Sequence, residues 1–131
     1  MIARSRFFTT TAAAAVALSL VTAACGDDVS LSEVGARGRS TSISNGCAAC
    51  HGTDGQGGSG PKWIGLAGSE VELLDGTFVV ADDAYLTRAI TDPAADLRAG
   101  FNLPMPENNK LTDAEIADIV AYINEISQPD E

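Results

Sequence analysis

The five residues from 47 to 51, Cys-Ala-Ala-Cys-His, constrain the fold of this chain more than any other part of its sequence. Two cysteines three positions apart, followed at once by a histidine, have three chemical interpretations: a redox dithiol, part of a zinc site, or an attachment site for covalent haem. His51 is the single histidine of the chain, and Cys25 is the only cysteine besides Cys47 and Cys50. The choice therefore depends on what the rest of the chain can add to this motif.

A catalytic dithiol and a zinc ion both need partners that the sequence does not offer. A reactive dithiol usually lies at a helix N-terminus within a βαβ unit, and no parallel-sheet pattern surrounds this motif. Zinc takes four ligands, or three and a water, and no second histidine or cysteine pair completes the set. The haem interpretation is favoured, because there the two thiols bond to the macrocycle and His51 ligates the iron.

A second axial ligand is expected near the end of the chain. Haem iron in electron carriers is commonly held by one histidine and one methionine. The chain has two methionines, and Met1 belongs to a segment that we expect to be removed. Met105 lies between Pro104 and Pro106, which stiffen its loop. A lone methionine more often fills a gap in a core, but this one lies in a polar loop, so we predict it as the distal ligand.

The first 24 residues have the pattern of an export signal. Arg4 and Arg6 form a positive start, and an apolar run of residues 12–21 follows. The segment LVTAAC ends in Cys25 and resembles a bacterial lipobox. We therefore predict lipidation of Cys25, with ordinary cleavage that leaves a free thiol as the alternative.

The predicted organisation is a lipoprotein signal, a tether and one domain, over residues 1–24, 25–32 and 33–128. The protein is expected to be exported and to lie in the periplasm or at the outer face of the cell membrane, held there by its lipid. Its formal net charge is −10. This acidity argues against nucleic acid as a partner, since nucleic-acid binding needs a basic surface.

Four elements are predicted in the domain. A helix over residues 33–45 has a poor composition, with two glycines and several serines and threonines. A β-hairpin with a turn at Asp75-Gly76 follows the glycine-rich loop 52–69. The next helix is capped by Asp82 or Asp83 and ends near Thr91, before a proline.

The last helix is the clearest element. Thr112 and Glu115 match a capping box. One apolar stripe follows at helical spacing, formed by Ile116, Ile119, Val120 and Ile123. The small residues Ala117 and Ala121 are expected to let another helix approach closely.

The order of these features resembles a class I cytochrome c over about residues 33–127. Two segments, GPKWIGLAGSEVELLDGTFVVADDAYLTRAITDP and AGFNLPMP, are similar to the cytochrome c domain fused to subunit II of some bacterial haem-copper oxidases. This resemblance implies an all-α fold with three main helices around one covalent haem c and a small β-hairpin. No copper-centre domain or pair of membrane helices precedes the domain, so the chain is not expected to be the oxidase subunit itself.

The resemblance also implies residue roles. Cys47 and Cys50 would form the thioethers, His51 would be the proximal ligand and Met105 the distal ligand. The carbonyl of Pro61 would accept the hydrogen of the other ring nitrogen of the histidine. Further pocket contacts would come from Trp63, Leu66, Tyr85, Leu86, Ile90 and Leu103.

One departure from the family concerns the first helix. An apolar or aromatic residue is usual near Ser42, and we expect Ile43 to take its place. Covalent haem is then expected to hold this helix against the last one.

The function implied is that of an electron carrier, not an enzyme, in a bacterial respiratory chain. It would exchange electrons with an oxidase or another redox protein; the alternative is a haem subunit of a dehydrogenase complex. The docking face is not evident. A basic patch is a hypothesis that depends on the few cations after the signal, Arg37, Arg39, Lys62, Arg88, Arg98 and Lys110.

Overall fold

A computed structural model describes residues 30–101, 103–108 and 110–128. In these residues it has four helices and one hairpin: α1 (Glu33–Ser44), α2 (Ala48–His51), β1 (Glu70–Glu72), β2 (Phe78–Val80), α3 (Asp83–Thr91) and α4 (Asp113–Glu125). The helical class with a small hairpin agrees with the expectation, and α2 is a single turn that was not predicted from the sequence. The predicted signal and Cys25 lie outside the described residues. Among the helices described, none is long and apolar enough to cross a membrane.

Helix α1 packs on α4 through small residues. Gly35, Gly38 and Ser42 are its buried positions. A Cβ atom at Gly38 would lie 1.9 Å from the backbone oxygen of Asp118, so the two helices are too close for any side chain there. This contact explains why a sequence of low helix propensity is helical here: the packed partner, rather than intrinsic preference, stabilises α1.

Two expectations about this contact were wrong. Ile43 does not replace the missing apolar residue, because it is 40% exposed while Ser42 is 2% exposed. The hydroxyl of Ser42 donates to the backbone oxygen of Arg39 at 2.8 Å, so the serine is buried with its hydrogen bond made. The small residues of the contact belong to α1, whereas Ala117 is exposed and Ala121 is only half-buried.

Polar contacts connect the start and the first half of α1 to α4. The Ser32 hydroxyl accepts from the Gly35 N–H at the helix start and donates to the Glu125 carboxylate at 2.6 Å. Arg37 makes two hydrogen bonds to Asp118, at 3.0 and 3.1 Å. Leu31 packs against the core. Leu31 and Ser32, the last two residues of the predicted tether, therefore belong to the folded domain.

The hairpin pairs Glu70 with Val80, Val71 with Val79 and Glu72 with Phe78. The Gly76 N–H donates to the Leu73 carbonyl at 2.9 Å, which centres the turn on residues 74 and 75, one position before the predicted centre. Gly76 follows at φ +82°, a conformation that favours glycine. The Asp75 carboxylate accepts from the N–H and hydroxyl of Thr77, at 2.9 and 2.7 Å, and fixes the turn.

A third extended segment runs along the other edge of β1. The Leu74 N–H donates to the Leu97 carbonyl at 2.8 Å, and the Ala99 N–H donates to the Glu72 carbonyl at 2.9 Å. Leu73 and Arg98 form an antiparallel bridge between these bonds. The loop after α3 is thereby held beside the hairpin.

Both remaining helices begin at the predicted caps. Asp82 accepts from the Tyr85 N–H at 2.8 Å, and α3 begins at the next residue. Thr112 and Glu115 form the reciprocal capping box at the start of α4. The stripe of α4 is buried together with residues of the loop, the hairpin and α3: Trp63, Leu66, Val71, Leu73, Ala81, Tyr85, Leu86, Ile90, Ile116, Ile119, Val120, Tyr122, Ile123 and Ile126.

Candidate functional site

The Cys-Ala-Ala-Cys-His motif forms the single helical turn α2, directly after α1. The Cys47 N–H donates to the Ser42 carbonyl at 2.9 Å, and the His51 N–H donates to the Cys47 carbonyl at 3.0 Å. Gly46 and Gly52, both at φ +82°, bracket the turn. Cys47 and Cys50 are free thiols. Burial raises the pKa of the Cys47 thiol, which disfavours the thiolate that a dithiol enzyme uses.

His51 is buried and fixed in one orientation. Its Nδ1 atom lies 2.8 Å from the Pro61 carbonyl oxygen, which can only accept a hydrogen bond. Nδ1 therefore carries the proton, and Nε2 keeps its lone pair. Burial lowers the pKa of the imidazole, against a smaller opposing effect of the Pro61 carbonyl. The side chain is thus a neutral imidazole whose Nε2 is free to act as a donor.

The glycine-rich loop after α2 folds back over His51. Its backbone is held by hydrogen bonds from Gly57 N–H to the His51 carbonyl at 2.7 Å and from Gly60 N–H to the Cys50 carbonyl at 2.9 Å. A Cβ atom at Gly60 would lie 3.0 Å from Cε1 of His51 and 3.2 Å from Cβ of Cys50. The loop can pass this close to the motif because this residue has no side chain.

Trp63 connects the site to the core. Its ring stacks on the His51 ring, with centroids 4.6 Å apart and planes 22° apart. Its other neighbour is Tyr122 of α4, in an edge-to-face arrangement at 6.2 Å. The Ser127 hydroxyl, which donates to the Ile123 carbonyl at 2.6 Å, lies 3.2 Å from the Trp63 carbonyl oxygen. The histidine is therefore supported from both the loop and the last helix.

A pocket of about 330 Å³ opens beside the motif. Cys50 and His51 of α2 line it, and so does Met105, more than 50 positions later in the chain. The structure also places the other predicted contacts on this wall, namely Pro61, Trp63, Leu66, Tyr85, Leu86, Ile90 and Leu103. Cys47 does not line the pocket; it lies one turn earlier, half-buried against the core.

Several residues of the wall that come from the first part of the loop after α3 were not predicted from the sequence. Arg98 and Phe101 line the pocket, with the Arg98 guanidinium 5.7 Å from the centre of the Phe101 ring. Asp96 also lines it and is paired with Arg88 of α3. Their position depends on the pairing of residues 97–99 with β1, which no local pattern indicates.

The residues of the pocket fit a covalent haem. The wall is mostly apolar, and it presents one thiol, one imidazole with a free Nε2 and one thioether. This is the donor set of a haem attached through cysteine and ligated by histidine and methionine. A zinc site does not fit equally well: in residues 30–101, 103–108 and 110–128, no three His, Cys, Asp or Glu side chains converge on one metal position.

Comparisons with known proteins agree with this geometry. A family model described as Cytochrome c matches residues 35–127. The matched range contains both Cys47–His51 and Met105. No curated protein matches the chain.

Proposed function

The chain belongs to the cytochrome c family, and on this premise we propose that it is a single-haem electron carrier of a bacterial respiratory chain. Family membership makes it a haem-containing electron-transfer protein with a covalent c-type haem, and Cys47, Cys50 and His51 fit the attachment. One observation carries the finer proposal. Two candidate axial ligands, His51 and Met105, line the same apolar pocket although they are far apart in the sequence.

Each residue of the motif has a distinct task. The thiols of Cys47 and Cys50 form two covalent tethers. The Pro61 carbonyl holds the proton on Nδ1 of His51, so that Nε2 is available to iron and the imidazole is a stronger donor. When bound, the haem supplies an iron that gains and loses one electron. Trp63 prevents the ligand ring from rotating away, because it is stacked on its face.

Met105 would hold the iron as the second ligand from the protein. A thioether is a soft ligand, and it favours reduced iron over oxidised iron. If His51 and Met105 both hold the iron, the protein would leave no site for a substrate at the metal. For this reason we propose a carrier and not an enzyme.

The apolar wall of the pocket also affects the reduction potential of the iron, in addition to the Met105 thioether. Leu66, Leu86 and Ile90 are each at most 8% exposed. They exclude water, and a low dielectric disfavours the extra positive charge of the oxidised state. The wall and the thioether therefore act in the same direction, toward a high reduction potential.

We further propose that the carrier works at the outer face of a bacterial cell membrane. The supporting features are the signal pattern of residues 1–24 and the lipobox that ends in Cys25. The likeness of the hairpin and methionine segments to oxidase-fused cytochrome c domains favours a terminal oxidase as the electron acceptor. A dehydrogenase complex is the alternative partner.

Haem staining of a denaturing gel tests the central proposal. Haem that stays with the boiled polypeptide is expected for the wild type and for Cys25→Ser. It should be lost in the double variant Cys47→Ser/Cys50→Ser. A stain-negative wild type, matured in cells that attach c-type haem, would overturn the proposal.

Fatty-acid labelling tests the anchor separately. Radiolabelled palmitate should enter the wild type and should be absent from Cys25→Ser. Equal labelling of the two proteins, or none in either, would refute lipidation at Cys25 and leave the haem proposal untouched.

A further inference from the structure

The outer side of the hairpin carries apolar side chains that face solvent. Phe78 is 62% exposed and Val80 is 53% exposed, whereas Val71 on the inner side of the hairpin is 1% exposed. Their cross-strand partners are Glu72 and Glu70. We call these four residues the hairpin face. An exposed aromatic residue and an exposed valine side by side on an edge strand are unusual without a partner.

The hairpin face is continuous with the mouth of the pocket. The segment 97–99 lies along β1 on the side away from β2, so the order across this ribbon is β2, β1 and then the segment. Leu74 and Leu97, which border the pocket, are 61% and 41% exposed. At about 4.8 Å between neighbouring strands, Phe78 lies roughly 10 Å from the segment that borders the pocket.

The charged side chains beside Phe78 and Val80 are acidic. Glu70 and Glu72 stand next to the apolar pair, and Asp75 lies at the turn. Three of the cations that a basic patch would need are already neutralised: Arg37 by Asp118, Arg39 by Asp54 and Arg88 by Asp96. The formal net charge of the chain, −10, has the same sign as the charge of the hairpin face. A surface complementary to the hairpin face would therefore be apolar with a basic border.

We propose that the hairpin face is the docking surface for a redox partner that presents an apolar patch bordered by lysine and arginine side chains. This inference rests on the proposed electron-carrier function and adds the chemistry of its partner. Phe78 and Val80 supply the buried centre of the interface. Glu70 and Glu72 supply its rim and accelerate encounter with a basic partner.

A second copy of the chain and a membrane surface are less suitable partners for the hairpin face. A second copy of the chain would bring glutamates against glutamates, which costs free energy. An anionic membrane surface would repel the same carboxylates. A basic redox protein gains from both the apolar and the acidic parts of the face.

The test measures electron transfer from the reduced holoprotein to a lysine-rich cytochrome c of the mitochondrial type, by stopped-flow absorbance over a series of salt concentrations. For the wild type, the second-order rate constant should fall as salt rises, because opposite charges attract. Phe78→Thr/Val80→Thr keeps strand propensity and removes the apolar centre. It should lower the rate constant about tenfold, a loss of about 1.4 kcal/mol of interaction.

Matched control variants on α1 show whether a change in the rate constant depends on the hairpin face. Glu72→Lys and Glu33→Lys change the net charge equally, but Glu33 lies on α1. Glu72→Lys should lower the rate at low salt several-fold more than Glu33→Lys does. Val34→Thr, which alters an apolar residue that is 39% exposed on α1, should stay within about twofold of wild type.

Several results would overturn the docking proposal. Hairpin-face variants within about twofold of wild type would do so, as would a wild-type rate that rises with salt. Hairpin-dependent dimers in sedimentation equilibrium would identify a second copy as the occupant. Hairpin-dependent co-sedimentation with vesicles of phosphatidylglycerol and phosphatidylethanolamine would identify a membrane. Haem staining and reduction by dithionite are measured on each protein, so that a failure of the carrier function itself is recognised separately.

Discussion

The Nδ1 atom of His51 lies 2.8 Å from the carbonyl oxygen of Pro61, and Gly60 leaves the space for this contact. We predict that Gly60→Ala disturbs it, because the added methyl group would lie 3.0 Å from Cε1 of His51. A weakened hydrogen bond makes the imidazole a poorer donor, so the reduction potential should change and the attached-haem yield should fall. Spectroelectrochemistry and haem staining measure the two effects.

Ser59→Ala is the control for this substitution. It alters the preceding, exposed residue without adding an atom near the imidazole. Equal potentials for Gly60→Ala, Ser59→Ala and wild type would contradict a positioning role for Gly60.

The second prediction concerns Met105. Met105→Ala removes the proposed thioether ligand, so the sulfur-to-iron charge-transfer band of the oxidised protein should disappear. Axial ligands set haem potentials over a range of about 0.8 V, and we expect the potential to fall by at least roughly 0.1 V. The reduced variant should also bind carbon monoxide, which the wild type should not. Leu103→Ala changes an exposed residue of the same loop and should keep the band. A band that survives in Met105→Ala would exclude this methionine as the ligand.

The third prediction concerns the contact of α1 with α4. Gly38→Ala should gain about 1 kcal/mol of helix propensity. It should lose more, because its methyl group would lie 1.9 Å from the Asp118 carbonyl oxygen and the helices must separate. We expect the free energy of unfolding to fall by about 2 kcal/mol net, measured by guanidinium denaturation of the holoprotein.

Gly35→Ala is the control for Gly38→Ala, and the two variants are compared in their free energy of unfolding. A Cβ atom there would lie 2.3 Å from the Glu125 carboxylate, which is the end of a flexible side chain and can move aside. The substitution should therefore cost less than Gly38→Ala. A larger loss at Gly35 would mean that the contact of Ser32 with Glu125, rather than backbone proximity, determines the stability of this pair of helices.

The fourth prediction is a dependence of stability on pH. Burial lowers the pKa of His51 below its ordinary value of 6.5, so the unfolded chain binds more protons than the folded one below that pH. The contribution of His51 to stability is complete above pH 6.5 and is lost as the pH falls through the lower, folded pKa. In the protein without haem, where Nε2 is free to take a proton, the midpoint of guanidinium unfolding should therefore decrease between about pH 7 and pH 5.

The variant Asp54→Asn distinguishes the pH dependence caused by His51 from general acid denaturation. Hydrogen bonds from Arg39 lower the pKa of Asp54 below 3.8, so its contribution is lost only below that value. Asp54→Asn should leave the decrease between pH 7 and pH 5 unchanged. If the midpoint of the haem-free wild-type protein stays constant down to pH 5, the proposed role of His51 burial is wrong.

The caps and the motif were predictable because their signals are local. Thr112 and Glu115 stand three residues apart and satisfy each other's backbone, so their sequence specifies the start of α4. The same holds for Asp82 before α3. The hairpin was also predictable, although its turn is centred on residues 74 and 75 because the Gly76 N–H bonds to the Leu73 carbonyl.

The features that were missed depend on tertiary contacts. Ser42 is buried because α4 comes close to α1, and nothing in the sequence around the serine indicates that distance. Arg98 and Phe101 reach the pocket because their loop pairs with β1. The donors His51 and Met105 were predicted from ligand chemistry, whereas the walls around them were predicted from family resemblance and only in part.

The bond between Ser32 and Glu125 has a mechanical consequence. These residues are 93 positions apart in the chain, yet their side chains are 2.6 Å from each other. The start of α1 and the end of α4 thus lie at one corner of the domain. A segment attached before α1 and a segment attached after α4 would therefore join the domain at nearly the same place. The domain would rotate about this place as a rigid body. The same closeness of the ends makes the domain suitable for insertion into a loop of another protein or for circular permutation.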